Sequence, residues 1–329
     1  MPLRHTPPFR LTEETLSLCG ELERLIGRLE GAKATVPQPL LRKRNHVRTV
    51  LSTVAIEGNT MTEAQVTALV DGVRVAGAPR EIREVTNANA AYNLVEEWRA
   101  SSERDLLATH RTLMTGLVDD PGKYRHGNVG VLRGARVVHM APPHERVPSL
   151  MRQLLEWAGR ARTPALVKSC VIHYELLFIH PFSDGNGRIA RLWQQVALRA
   201  ANPVWRFVAI ESVIRERQTA YYAALNRADH AGDATGVIEY LLESMRDALS
   251  ELVRDVRPQR ATPEARLVEA EKVLRRRWFS RADYLSLDRS IATATASRDL
   301  AGGVAAGALE VRGARRLTEY RFRRRLERS

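Results

Sequence analysis

Apolar side chains recur at helical spacing along most of this chain. In Glu13–Leu29, the residues Leu16, Leu22, Leu25, Ile26 and Leu29 fall close to a 3.6-residue period, which predicts an amphipathic helix. Gly31 and Pro37-Gln38-Pro39 interrupt the pattern, and a second helix is predicted from about Arg44 to Glu57, stopped by Gly58-Asn59. Thr62 reads as the cap of a third helix of about ten residues, followed by helices over Arg80–Ala100 and Asp105–Val118. Between Pro121 and Pro148 glycines interleave with valines. Val129–Leu132 and Arg136–Met140 flank Arg133-Gly134-Ala135, which predicts a β-hairpin. Helical spacing returns over Val147–Gly159, Ala165–Phe178, the stretch from the loop His180–Gly185 to about Ala200, Arg215–Ala231 and Thr235–Val256. Pro258–Pro263 reads as a linker. Beyond it the pattern predicts a helix (Glu264–Arg277), a short segment (Trp278–Arg281), two short helices, and strands Leu309–Arg312 and Leu317–Phe322 paired across Gly313-Ala314.

These breaks divide the 329 residues into an N-terminal helical region (1–104), a central core (105–257) and a C-terminal module (258–329), in a mainly α fold. Hydrophobic residues make up 44% and charged residues 27%, the balance of a soluble globular protein. No apolar run approaches the ~18–20 residues of a membrane span, and Met1–His5 lacks the apolar core of a signal peptide. Two distant cysteines, Cys19 and Cys170, argue against a disulfide framework or a zinc site; a cytoplasmic location without membrane partners is expected. The net charge of +13 is concentrated at the C-terminus, where residues 257–329 hold 18 Lys and Arg against 9 Asp and Glu. That asymmetry admits DNA as a partner of this module, or a simple solvated basic surface.

Candidate chemistry is concentrated in His180-Pro181-Phe182-Ser183-Asp184-Gly185-Asn186-Gly187-Arg188-Ile189-Ala190-Arg191. An apolar helix ends before this segment and another starts inside it. A helix N-terminus offers unpaired N–H groups and partial positive charge to an anion, and Gly185 and Gly187 let a phosphate approach the backbone. Arg188 and Arg191, three residues apart on one helical face, can bring two guanidinium groups to one polyphosphate. Asp184 is placed to hold a magnesium ion bridging phosphate oxygens. His180, with an ordinary pKa near ~6.5, is suited to accept a proton at neutral pH. Together these residues point to phosphoryl or nucleotidyl transfer.

The segment resembles the signature of Fic-domain proteins, His-x-Phe-x-Asp/Glu-Gly-Asn-Gly-Arg-x-x-Arg, at every specified position. Thr53-Val54-Ala55-Ile56-Glu57-Gly58 is similar to the family's inhibitory motif, Ser/Thr-x-x-x-Glu-Gly/Asn. The hairpin Val131–Met140 resembles its target-docking flap, and Tyr221-Tyr222-Ala223-Ala224-Leu225 resembles the tyrosine-bearing helix behind the adenine. The likeness extends over roughly residues 40–245. It implies a Fic helical core with a small flap, acting as a nucleotidyltransferase that moves AMP from ATP to Tyr, Thr or Ser hydroxyls of target proteins. His180 would be the general base and Asp184 the ligand of Mg²⁺, with Mn²⁺ as an alternative. Gly185, Asn186 and Gly187 would cradle the phosphates, Arg188 and Arg191 would bind the leaving end, and Tyr221 and Tyr222 would lie at the nucleotide. Gly187 stands where the phosphate-transferring Doc branch has a lysine, which favours nucleotidyl transfer. Uridylyl and phosphocholine transfer are known deviations in the family and stay open.

The same resemblance makes Glu57, with Thr53 and Gly58, a built-in brake. Glu57 would pair with Arg191 and withdraw it from the γ-phosphate, and beside a metal it would position water to remove AMP again. A target protein docked at Val131–Met140 and a homodimer are the protein partners it admits. From about Glu264 the element order resembles a winged helix-turn-helix. Thr295–Leu300 would open its recognition helix, and Arg312, Arg315, Arg316, Arg321, Arg323, Arg324 and Arg325 would reach phosphates. The competing function is therefore an ATP-sensing, DNA-binding regulator with little or no transferase activity.

Overall fold

A computed structural model describes residues 7–31, 39–133, 136–256, 262–287, 291–314 and 317–323, with the side chains of 131–139 left aside. The chain divides into two compact units, Met1–Val256 and Arg257–Ser329. The first contains helices α1 (Glu13–Gly31), α2 (Pro39–Ala55), α3 (Glu63–Val70), α4 (Pro79–Asn93) and α5 (Glu103–Met114). An antiparallel hairpin of β1 (Gly130–Arg133) and β2 (Arg136–Met140) follows, and then α6 (Val147–Arg160), α7 (Ala165–Ile179), α8 (Asn186–Ala201), α9 (Ile210–Glu216), α10 (Gln218–Ala231) and α11 (Thr235–Asp255).

Two helices organise this unit. The sequence of α7 is apolar on almost every face, and Leu166 to Leu176 are buried apart from Lys168, as expected of a helix surrounded by others. One face of α7 meets α1, α10 and α11 through Val167, Cys170, Val171 and Tyr174; the other, through Ile172, Leu176 and Ile179, joins the core of α2, α4, α5 and α6. Helix α8 lies against α7 and buries Ile189, Leu192, Trp193 and Val196. The turn between these two helices carries the signature segment. It is thus fixed at the centre of the unit rather than hung from a surface loop.

Several boundaries differ from those the pattern predicts. Helix α2 starts at Pro39, since proline suits a first turn that needs no N–H partner, and it stops at Ala55. Glu57 and Gly58 leave the helix in a turn, with Gly58 at φ 98, so Glu57 points away from the helical face it would otherwise share. The stretch Arg80–Ala100 is not one helix: α4 ends at Asn93, and a short 3-10 turn over Val95–Glu97 precedes Ser102, whose side chain caps α5. Thr62 caps α3 with a reciprocal capping box to Gln65. The span Arg215–Ala231 is two helices broken at Arg217. Residues Ile210–Ile214 form most of α9 and are all buried, Glu211 and Ser212 included, so polarity along the sequence does not mark a buried face and leaves no helical period to read. The hairpin turn at Gly134-Ala135 lies outside the described residues.

The second unit contains α12 (Pro263–Leu274), β3 (Phe279–Ser280), α13 (Arg281–Leu287), α14 (Thr293–Ala305), β4 (Leu309–Arg312) and β5 (Glu319–Phe322). Its sheet has the order β3-β5-β4, all antiparallel, so the short Trp278–Arg281 segment supplies a third strand. Leu267, Leu274, Phe279, Tyr284, Leu300 and Phe322 form its core. Arg266 reaches the buried carboxylate of Asp299 through two hydrogen bonds of 2.6 and 2.7 Å, and the Tyr284 hydroxyl adds a third at 3.1 Å. Thr295–Leu300 lies in the first turns of α14 rather than opening it. Arg312 and Arg321 pair with Glu319 and Glu310 and stand over the Trp278 ring, so both are partly neutralised within the sheet. Arg315, Arg316, Arg324 and Arg325, and most of the Pro258–Pro263 segment, fall outside the described residues.

Candidate active site

Helix α7 ends at Ile179 and hands over to His180, which adopts left-handed backbone angles (φ 50, ψ 59) uncommon for a residue with a side chain. What holds it there is Arg125, in the segment that leads into the hairpin. The buried Arg125 guanidinium donates to the carbonyls of His180 (Nε, 2.8 Å), Gly127 (Nη1, 2.7 Å) and Pro142 (Nη2, 2.5 Å), and its backbone N–H donates to Pro181 (2.9 Å). One side chain therefore ties the His180 turn to both stems of the β1–β2 hairpin. Burial lowers the pKa of this arginine.

The loop that follows is locked from within. Asn186 accepts the Phe182 N–H at 3.0 Å and donates to the Phe182 carbonyl at 2.9 Å. Its side chain closes the loop on itself, which leaves only its backbone N–H for any cradle. Phe182 stacks on His110 of α5, with centroids 3.7 Å apart and planes within 5°. His110 Nδ1 accepts the Gly122 N–H at 2.9 Å, so Nε2 is the donor to the Asp184 carbonyl, 3.0 Å away. Full burial pushes the pKa of His110 down to about 4, so the neutral ring that this pattern needs is the one present.

Gly185 caps α8 with φ 84, and a side chain there would run into Met114 of α5. A Cβ on Gly187 would collide with Glu57 Oε1. Both glycines are thus set by close approach: one to the scaffold, the other to the Glu57 turn. At the start of α8 the backbone N–H groups face out of the helix without an intrahelical partner.

Beside that N-terminus lie two buried arginines. Arg188, 4% exposed, has Nη1 3.5 Å from Glu84 and Nη2 3.4 Å from Asp184, while Nε and Nη1 have no hydrogen-bond acceptor. Buried donors are nearly always satisfied, and an arginine left this way at a helix N-terminus suits an incoming anion. Arg191, 2% exposed, is fully engaged: Nε donates to Thr53 Oγ1 (3.1 Å), and Nη2 donates to the Thr53 carbonyl (2.9 Å) and to Glu57 Oε1 (2.7 Å). Burial works against its charge, and the Glu57 carboxylate more than offsets this, so its pKa lies above the usual arginine value.

Asp184 Oδ1 accepts the Gly185 N–H at 2.6 Å, and Oδ2 lies 3.5 Å from Arg80. Among the described residues no group of three or more His, Cys, Asp or Glu side chains is arranged to hold a metal by itself. One half-exposed carboxylate beside a phosphate cradle nonetheless fits Mg²⁺, which takes few protein ligands when substrate phosphates supply the rest. Tyr221 is 1% exposed, and its hydroxyl lies 2.7 Å from His173 Nε2; Tyr222 is the more exposed of the pair. Tyr221 therefore backs the Arg191 region from inside the core.

The structure thus brings His180, Asp184, Gly185, Gly187, Arg188 and Arg191 together with Thr53, Glu57 and Gly58. It adds Arg125, His110, Glu84 and Arg80, which sequence reading passed over. Each is a single polar residue in an ordinary context. Only Tyr124-Arg125-His126-Gly127, directly ahead of the hairpin, carried any local signal.

A model of the Fic/DOC family matches residues 100–198, from just before α5 through most of α8. Among curated proteins, protein adenylyltransferase fic-1 of Caenorhabditis briggsae is 31% identical over 205 residues, or 58% of this chain and 38% of that protein. Protein adenylyltransferase Fic of Nematostella vectensis is 27% identical over 220 residues, or 63% and 48%. The chain spans less than half the length of either relative. Among solved structures, a Fic family protein from Desulfovibrio desulfuricans G20 is 41% identical with a TM-score of 0.75, over 98% of this chain and 100% of its own. With that likeness running end to end and the family model lying across the signature loop, this chain belongs to the Fic family.

Proposed function

We propose that this protein transfers AMP from ATP to a Tyr, Thr or Ser hydroxyl of a target protein. The observation that carries the reading is Arg188, a buried cation with unsatisfied donors beside the N-terminus of α8, 3.4 Å from Asp184 and at the end of the loop that His180 opens. The naming of similar proteins as protein adenylyltransferases supports it. In this reading the target oxygen bonds to the α-phosphorus, the bond from that phosphorus to the pyrophosphate oxygen breaks, and the hydroxyl proton passes to His180. Arg188 and the α8 N–H groups hold the polyphosphate, which is the main contribution expected of fixed donors in such transfers. Mg²⁺ at Asp184 supplies charge neutralisation when bound.

In the same reading Glu57 is a brake, because an Arg191 held by Glu57 and Thr53 is not free for the γ-phosphate. Glu57 is also the group to orient water for removing AMP from a modified target. The target docks along the β1–β2 hairpin by strand addition. Val137→Pro is then expected to impair target labelling more than nucleotide binding, and equal losses argue for misfolding. DNA remains the proposed partner of the second unit through the helix and strand order around α14, although Arg312 and Arg321 are already paired with glutamates.

The deciding experiment is labelling of the protein itself with α-labelled ATP and Mg²⁺, comparing wild type, Glu57→Gly and the Glu57→Gly, His180→Ala double variant. Label that depends on His180 while ATP binding is retained supports the reading. Label of equal strength in Glu57→Gly and in the double variant, or transfer of the γ-phosphate alone, overturns it.

A further inference from the structure

One helical turn before Thr53, Thr49 of α2 borders a cavity of about 280 Å³ that the proposed transfer does not use. Its charged and polar lining includes Arg42, Lys43 and His46 from α2, Gln195 and Arg199 from α8, and Arg206 from the turn after α8. Tyr92 of α4 forms part of the wall.

Cations dominate this lining. Arg199 and Arg206 share a single carboxylate, Glu96, at 2.6 and 2.5 Å, and Lys43 pairs with Asp71 at 2.7 Å. Arg42 has no ion pair among the described residues. Four fixed positive charges thus face two carboxylates, and the surplus favours an anion. The polar atoms left over specify more. Arg199, its side chain 9% exposed, has a buried Nε with no acceptor, and Gln195, 4% exposed, has a buried Oε1 with no donor. Buried groups of both kinds are rarely left alone in a folded protein. Both side chains line the cavity, and a small rotation of each would bring the first to an anionic oxygen and the second to a hydroxyl or amine. A volume of this order is at the small end of ligand pockets.

We propose that this cavity is a second binding site, for a small phosphate monoester that carries hydroxyl groups. The phosphate would take up the unshared charge of Arg42, Arg199 and Arg206, and a hydroxyl would donate to Gln195. The site has a consequence that rests on the reading of Glu57 as a brake. His46 and Thr49 stand on α2, with Thr53 one turn on and Glu57 in the turn that follows, so a ligand here braces or displaces the helix that holds Arg191.

Titrating ¹⁵N-labelled protein with inorganic phosphate and, separately, with ribose 5-phosphate tests the site residue by residue. Expected are saturable amide shifts at Asn93, Val95 and Phe207, an affinity for ribose 5-phosphate at least about tenfold above that for phosphate, and loss of both in the Arg42→Ala, Arg206→Ala double variant. Both substituted side chains are exposed, so the fold is retained. Shifts confined to Gly185–Arg188, shifts that persist in the double variant, or no shifts at tens of millimolar ligand overturn the site. Equal affinity for the two ligands overturns the hydroxyl assignment. With ribose 5-phosphate saturating, a changed self-labelling rate in wild type but not in Glu57→Gly supports the coupling, and an unchanged rate in both overturns it. Absence of labelling from every folded variant, with the shifts still present, sinks the transferase reading and leaves the site standing.

Discussion

Arg191 and Glu57, 134 positions apart in the chain, meet through a hydrogen bond of 2.7 Å between Nη2 and Oε1, with the arginine buried and the carboxylate 30% exposed. The pair joins the second turn of the helix that starts the phosphate cradle to the turn that ends α2. A buried guanidinium held by a partly exposed carboxylate has a strong partner that water can still compete for, which makes the contact releasable.

Replacing Glu57 by Gly is expected to raise self-labelling by at least about tenfold, equivalent to about 1.4 kcal/mol, because Arg191 becomes available to nucleotide. Thr53→Val removes only the Oγ1 acceptor and keeps the carbonyl contact, so its effect should be smaller and in the same direction. Initial rates with α-labelled ATP check both. Equal rates in wild type and a folded Glu57→Gly protein count against the brake.

Arg125 touches no proposed reacting atom and acts as a positioning residue through the His180 carbonyl. Arg125→Lys cannot reproduce three divergent carbonyl contacts, and a displacement near 1 Å at a reacting group can cost about 100-fold in rate. The expected result is a fall in kcat of roughly ten- to 100-fold with KM for ATP little changed. A matching rise in KM would place Arg125 in nucleotide binding instead.

Acid should destabilise the protein through His110 and His173. Burial lowers their pKa values to about 4 and about 3, against an ordinary value of 6.5. In folded protein the rings stay neutral while the unfolded chain takes up protons. Their contribution is complete above pH 6.5 and is lost as pH falls through the folded values. Glu211, raised by burial to about 7 from 4.5, works in the opposite sense: its contribution is present below pH 4.5 and is lost as pH rises through 7. Two histidines against one carboxylate leave a net loss of stability from pH 6.5 to 4.5. Denaturant melts at pH 6.5 and 5 should show it, with a flatter dependence in His173→Gln and a steeper one in Glu211→Gln.

The two compact units predict separable stabilities. Asp299→Ala leaves Arg266 and the Tyr284 hydroxyl without their buried acceptor, at a cost of about 3 kcal/mol. Calorimetry should show a transition shifted to lower temperature, with self-labelling unchanged. Loss of labelling in parallel would mean that the first unit depends on the second.

Much of the fold could be read from periodicity. The helices at Glu13, Thr235 and Ala165 lie within two residues of their predicted ends, because each presents a continuous apolar face or a largely apolar run. Reading failed where the local signal was absent or ambiguous. In Ile210–Ile214 the polar Glu211 and Ser212 are buried with their apolar neighbours and set no period, Pro39 serves equally as a breaker and as a first residue, and Val95–Glu97 holds too short a turn to announce itself.

The chemistry divides along the same line. The residues of His180–Arg191 are consecutive, so their mutual spacing is a property of the chain, and the glycines, the arginines three apart and the helix start were all legible without coordinates. What no local pattern contains is the company they keep. Arg188 and Arg191 look like solvated residues in sequence and are buried, since α7, α4 and the end of α2 close over them. Asn186 closes its own loop, Tyr221 turns into the core toward His173, and Arg125 and His110 reach the site from elements far away in the chain. Spacing along a backbone determines which groups share a helix face or a turn. Burial, long-range hydrogen bonds and the pKa shifts that follow from them depend on which distant segment fills the remaining space, and only the tertiary packing decides that.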